Sequence, residues 1–331
     1  MDLDAYIDAH SWQWRELETL VKRSHLSADD TDRLIELYER VGTHLSVIRS
    51  TSPDPVLVTA LSNLLARARR RAGAGRVFSW GDLLRFFTRT FPGALYTMRW
   101  WWVITGVVWI ALAFVLGAHL VAHPELMAKL GTPGDLEQLA QHDFEDYYSS
   151  GPAQEFAVRL VLNNAWVAAQ CIALGVLGFP TLAVLLNNCY NVAFTGAIMV
   201  NHDRGTLFFG LILPHGLLEL TGIFVAGGVG LRLFWSWIHP GARTRVAAMA
   251  AAGRQSIAVV LGLIVLFGVS ALLEAFITPS PLPPSARLAV GVVVWLAFLY
   301  YALVVGRAAA ESGATGDLEV EDRGDEVVAA D

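Results

Sequence analysis

The sequence predicts an all-α, polytopic membrane protein with about six transmembrane helices and an N-terminal cytoplasmic helical region. Three observations predict it. Of 331 residues, 54% are hydrophobic and only 16% are charged, too few charges to cover soluble domains of this size. Uncharged stretches recur at the length of about 20 residues that crosses a hydrocarbon core. Arginines also alternate between loops in the way that orients helices in a bilayer. Two cysteines with no Cys-x-x-Cys pair exclude a disulfide scaffold and a structural zinc finger. A net charge of −6 argues against a nucleic-acid partner.

The chain opens on soluble-type helices. Met1-Asp2-Leu3-Asp4 is acidic and no apolar h-region follows, so no signal peptide is expected. Leu17, Leu20 and Val21, then Leu34, Leu37, Tyr38, Val41 and Leu45, recur at helical spacing. Ser27-Ala28-Asp29-Asp30 resembles a capping box with Asp in place of Glu. Ser52-Pro53-Asp54-Pro55 ends the second helix and starts a third that runs to Arg71, and Glu36 with Arg40 marks a solvated face. Residues 1–76 are therefore expected to form a cytoplasmic helical bundle. In 77–99, Trp80, Leu83, Leu84, Phe86, Phe87 and Phe91 alternate with Arg85 and Arg89. The pattern suits an amphipathic segment in the membrane interface or one packed on the bundle.

Residues 100–307 carry the spans, near 100–121, 160–178, 181–200, 208–233, 256–276 and 287–306. Leu160 to His202 lacks any Asp, Glu, Lys or Arg and is long enough for two helices, with a turn at Gly178-Phe179-Pro180. Eight arginines and one acid, Asp82, lie between Arg67 and Arg99, whereas the 122–159 loop is acidic. Arg232, Arg243, Arg245 and Arg254 follow span four with no acid among them. The bias puts both termini in the cytoplasm and the 122–159 loop outside, in a multi-pass plasma-membrane protein. Trp100, Trp101 and Trp102, with Trp235 and Trp237, fall at the cytoplasmic boundary and read as anchors. Residues 308–331 are acidic, lack aromatics and are expected to be a disordered tail.

Any chemistry lies inside the membrane. Within span four, Pro214-His215-Gly216-Leu217-Leu218-Glu219 places His215 and Glu219 four residues apart, on one helix face. Ionisable groups at that depth face a bundle interior or a cavity. Pro214 is expected to break the helix by freeing the Gly210 carbonyl, and Gly216 to admit a close neighbour. Asn163 and Asn164 in span two, and Asn187, Asn188 and Asn191 in span three, need partners and are expected to meet His215 and Glu219. Gln170, Thr195 and Thr221 extend the polar set, and Glu274 lies near the outer end of span five. Three readings stand open: a structural hydrogen-bonded knot, a polar path with Glu219 as a titratable gate, and a metal site with His215 and Glu219 as two ligands. The pair supplies only two ligands where a catalytic zinc needs three and a water. No His-Glu-x-x-His, Gly-x-Ser-x-Gly or Walker loop is present, so no enzyme is expected and no cofactor. Cys171 and Cys189 read as core filling. Glycines at 205, 210, 222, 227, 228 and 230 along span four allow a compact bundle or a self-association face.

The sequence resembles the stage II sporulation protein M family in its actinobacterial form. The resemblance rests on Trp12, Trp14 and Leu34 to Leu45, on Leu162-Asn163-Asn164, and on the segment from Asn188 to Gly196. Pro214-His215-Gly216-Leu217-Leu218-Glu219, followed by Ala226-Gly227 and Gly230, is its most distinctive part. The resemblance implies a membrane anchor that recruits cell-wall hydrolases, not an enzyme, and actinobacterial neighbours that include MoxR-type ATPases and RDD-domain membrane proteins. The expected function is a non-enzymatic scaffold that recruits or positions cell-envelope machinery. The alternative is an ion- or solute-transporting module built on the buried His/Glu/Asn cluster. Expected partners are membrane lipids, envelope or cell-wall proteins, neighbouring membrane proteins and a second copy of the chain, with no nucleic acid.

Overall fold

The first three helices show why the N-terminal region folds on its own terms. Helix α1 is Leu3–Lys22, α2 is Ala28–Thr51 and α3 is Pro55–Ala74. The capping box at the start of α2 is formed: Ser27 N donates to Asp30 Oδ2 at 3.2 Å and Asp30 N to Ser27 Oγ at 3.1 Å. Asp54 caps α3 by accepting from Leu57 N at 2.8 Å. Leu17, Leu20, Leu34, Leu37, Val41, Ile48, Leu61, Leu64 and Ala68 are buried against one another as a closed apolar core. Burial of that stripe, more than helix propensity, holds three helices of this length together. Arg33 joins α1 to α2 by donating to both oxygens of Glu16, at 2.8 and 2.9 Å, and also reaches Glu36.

In this computed structural model the described residues are 3–23, 26–51, 53–74, 80–129, 131–144 and 153–317. They form two compact units, 1–82 and 83–331, and no strand occurs among them. The second unit has six helices long and apolar enough to cross a membrane: Arg99–Ala122, Val158–Leu177, Phe179–Asn201, Gly205–Ile238, Arg245–Ile277 and Pro284–Glu311. They are spans one to six in chain order. Span four is the hub, packed against each of the other five.

Three stretches pack more closely on the second unit than their composition suggests. The 77–99 segment does not lie wholly at the surface: Phe91, Ala94, Leu95 and Met98 are buried in the core of the second unit, while Trp80 and Leu84 are exposed. The Phe91 ring occupies the space that a side chain at Gly262 would fill, and Tyr301 donates to the Phe87 carbonyl at 2.6 Å. Trp102 is no interfacial anchor either. It is only 5% exposed and donates to Leu95 O at 3.0 Å, while Trp100, 64% exposed, remains on the outside. Nor is the tail disordered from residue 308. A helix covers Gly306–Glu311, and Asp317 accepts from Arg254 Nε at 2.6 Å with its side chain almost fully covered. Residues 318–331 lie outside the described residues.

Span five begins at Arg245, eleven residues before the sequence expectation, because Thr244 caps it by accepting from Ala247 N at 3.2 Å. A side-chain cap, not the last charged residue, sets the start. The turn between spans two and three falls at Gly178, whose φ of +72° is a conformation that a Cβ would strain. In the long loop after span one, Phe144 packs on Phe208 at 5.5 Å between ring centroids. Glu145, Asp146, Tyr147 and Tyr148 lie outside the described residues.

Candidate functional site

The middle of span four gathers the buried polar groups. The helix runs from Gly205 to Ile238 without interruption, Pro214 inside it, so Pro214 and Gly216 are not a helix break. Losing one N–H is tolerated in an apolar bundle whose neighbours satisfy the freed carbonyl or cover it. The close approach also falls elsewhere: a side chain at Gly216 would meet only Ile212 of its own helix. At Gly291 of span six a Cβ would land on the Pro214 carbonyl, so glycine there lets two backbones touch. Gly230 and Gly175 do the same for spans four and two.

His215 and Glu219 project from one face of span four, as their spacing requires, and Glu274 of span five faces them. A ring nitrogen of His215 and a carboxylate oxygen from each of Glu219 and Glu274 all lie within 4.8 Å of one another. His215 Nε2 stands 3.6 Å from Glu274 Oε1. On the other side of the ring, His215 Nδ1 is 3.2 Å from Thr278 Oγ1. That hydroxyl lies 3.4 Å from the Leu273 carbonyl and can donate to it. Ser270 Oγ donates to the His215 carbonyl at 3.2 Å. Glu219 has Asn164 and Ser270 as its polar neighbours. The second carboxylate oxygen of Glu274 is shielded from solvent and has no hydrogen-bond partner among the described residues.

Glu274 owes its position to a local irregularity. Residues Leu273–Ile277 form a π turn at the end of span five. Such turns recur at functional sites because the extra residue re-aims side chains. Arg287 at the start of span six holds the Thr278 carbonyl, which fixes the residue that in turn holds the His215 ring.

Of the five asparagines expected here, only Asn164 arrives. It is buried, whereas Asn163, Asn187 and Asn191 are exposed, and Asn188 is half-buried with its Oδ1 unpartnered. Adjacent residues on a helix stand about 100° apart, so Asn164 facing span four turns Asn163 outward. Asn187 and Asn191 share one outer face for the same reason. Three participants come from outside the expected cluster: Glu274, Ser270 and Thr278. A signal for them does exist, since positions 270, 274 and 278 follow an i, i+4, i+8 stripe directly after the apolar run 257–269. Cys171 is buried, and Cys189 approaches the Trp109 carbonyl at 3.7 Å.

Five apolar spans around a polar-bearing central helix, span four, define an integral multi-pass membrane protein, with buried His215 and Glu274 beside half-buried Glu219 in its bundle. Residues 106–279 match the family described as Stage II sporulation protein M, just over half of the chain and all of the cluster. The chain belongs to that family. Residues 4–72 match a second description, Domain of unknown function (DUF8413), which coincides with the three N-terminal helices. No curated protein and no solved structure matches the chain.

Proposed function

We propose that this protein is a non-enzymatic scaffold of the plasma membrane that recruits or positions cell-envelope machinery, with both termini in the cytoplasm. The observation that carries this reading is the first unit. It is a three-helix bundle with its own closed core, far more than insertion of six spans requires. Its outer face is charged, with Arg15, Glu39 and Arg40 exposed, the kind of surface that docks soluble proteins reversibly. A second support lies on spans two and three, where Asn163, Asn187 and Asn191 face outward. Uncovered amides are costly against lipid tails, and a neighbouring membrane protein or a second copy would satisfy them. The arginine bias of the loops supports the orientation.

Deleting residues 1–76 is expected to leave a correctly inserted six-span protein that no longer retains cytoplasmic partners in pull-downs. Retention unchanged by the deletion overturns the assignment to this bundle. For orientation, Asp143→Cys should react with an impermeant maleimide in intact cells and Arg243→Cys should not; the reverse pattern refutes the topology. The clustered His215, Glu219 and Glu274 favour a second reading, an ion- or solute-transporting module. In that case liposomes holding the full-length protein carry a cation or proton current that Glu219→Ala abolishes.

A further inference from the structure

We propose that His215, Glu219 and Glu274 form a divalent-cation site within the membrane bundle, suited to a transition metal of the zinc type. This goes beyond the scaffold reading and does not depend on it. One imidazole and two carboxylates supply three ligands from two helices, the number that span four alone lacks. Nitrogen with carboxylate oxygen is a donor set for borderline metals such as zinc.

The distances separate a metal site from a hydrogen-bonded knot. At 3.6 Å, His215 Nε2 and Glu274 Oε1 are too far apart for a hydrogen bond. Two ligands at zinc bond lengths in a tetrahedron stand about 3.3 Å apart, close to the spacing found. The other ligand atoms also lie within 4.8 Å of one another and would draw together around a bound ion.

Polarity points the same way. The Thr278 hydroxyl can donate its one proton to the Leu273 carbonyl and accept from His215 Nδ1–H. In that tautomer the lone pair of Nε2 faces a carboxylate oxygen, two electron-rich atoms that a cation between them would join. A ligating histidine is held this way elsewhere, its second nitrogen fixed by an outer partner. Independent of the ring, Glu274 is 3% exposed and its Oε2 has no hydrogen-bond partner among the described residues. A carboxylate oxygen so deep and so unpaired needs a compensating partner, and a cation supplies one. Two carboxylates also balance the charge of one dication, so the loaded site adds no net charge to the bundle interior. Water completes a fourth position.

The test uses the full-length protein in detergent micelles, stripped with a chelator, loaded with Zn²⁺ and desalted. Elemental analysis is expected to find one zinc per chain. Glu274→Gln, which preserves shape and most hydrogen bonds, should lower that content at least tenfold while the protein elutes as a single species. Thr278→Val keeps all three ligands and should weaken affinity about ten- to a hundredfold through the loosened ring, so it serves if the glutamine variant fails to fold. Cobalt loading adds a spectroscopic readout, visible ligand-field bands present in the wild type and absent in Glu274→Gln. Asn187→Ala, on the outer face of span three, is expected to bind as the wild type does. No retained zinc in the wild type, or wild-type zinc in both Glu274→Gln and Thr278→Val, overturns the proposal.

Discussion

The two units of this chain solve opposite problems with the same helix. In the first, leucines such as Leu17, Leu34 and Leu37 are inside and the charges of Glu39 and Arg40 outside. The second is reversed: Ile104, Val107, Phe114 and Val293 face outward, and His215, Glu274, Asn164 and Ser270 are enclosed. Water rewards the burial of apolar area in one case, whereas lipid offers no such reward and makes backbone approach and polar pairing decide the other. The glycines follow the same division. They sit at helix crossings of the membrane unit, at 175, 230 and 291, where a Cβ would strike a neighbouring backbone.

The comparison is sharpest for core leucines. Leu37→Ala should destabilise the N-terminal bundle by about 2–5 kcal/mol. Ile104→Ala, on the outside of span one, should cost less than about 1 kcal/mol. Denaturant titration followed by hydrogen exchange in α2 and in span one measures both, and equal losses would break the distinction. Crossing glycines come next. Gly291→Ala forces a methyl onto the Pro214 carbonyl and should cost about 1–3 kcal/mol, lowering the temperature at which the detergent-solubilised protein aggregates. At Gly210 an added methyl would meet nothing within 4 Å, so alanine there should be neutral or gain up to about 1 kcal/mol. A matching loss at both sites would refute the crossing argument.

Smallest is a pH effect confined to the first unit. Trp14 Nε1–H donates to His44 Nδ1 at 3.2 Å, and the ring lies 4.2 Å from His10 between centroids. Burial, with the charges of His10 and Arg40 nearby, holds His44 below its ordinary value. The unfolded chain thus binds a proton more readily than the folded one. Stability from this contact is complete above about pH 6.5 and is lost as pH falls toward the folded value. Hydrogen bonds from Arg33 hold Glu16 and Glu36 below the usual carboxylate value, so their contribution fades only in more acidic solution. Hydrogen exchange of α1 and α2 in the full-length protein should therefore quicken between about pH 7.5 and 5.5, after correction for intrinsic rates. His44→Gln, which retains an acceptor without the titration, should flatten the response. Unchanged protection in the wild type would remove His44 as its cause.

What the sequence by itself determined about this protein is whatever depends on neighbours in the chain. Capping at Ser27 and Asp54, the turn at Gly178, the six apolar runs and the shared face of His215 and Glu219 all follow from spacing of a few residues. Only the tertiary structure decided which way each span turns. An evenly apolar helix has no strong face, so its azimuth comes from packing, and a rotation of about 100° exchanges Asn163 for Asn164 as the residue that reaches Glu219. Packing also brought Glu274 and Thr278 to His215 across more than fifty residues of chain. The same long-range closure folded Phe91 under span five and tied Asp317 to Arg254. Local patterns carry no record of such contacts, because the free energy that selects them arises only when the helices meet.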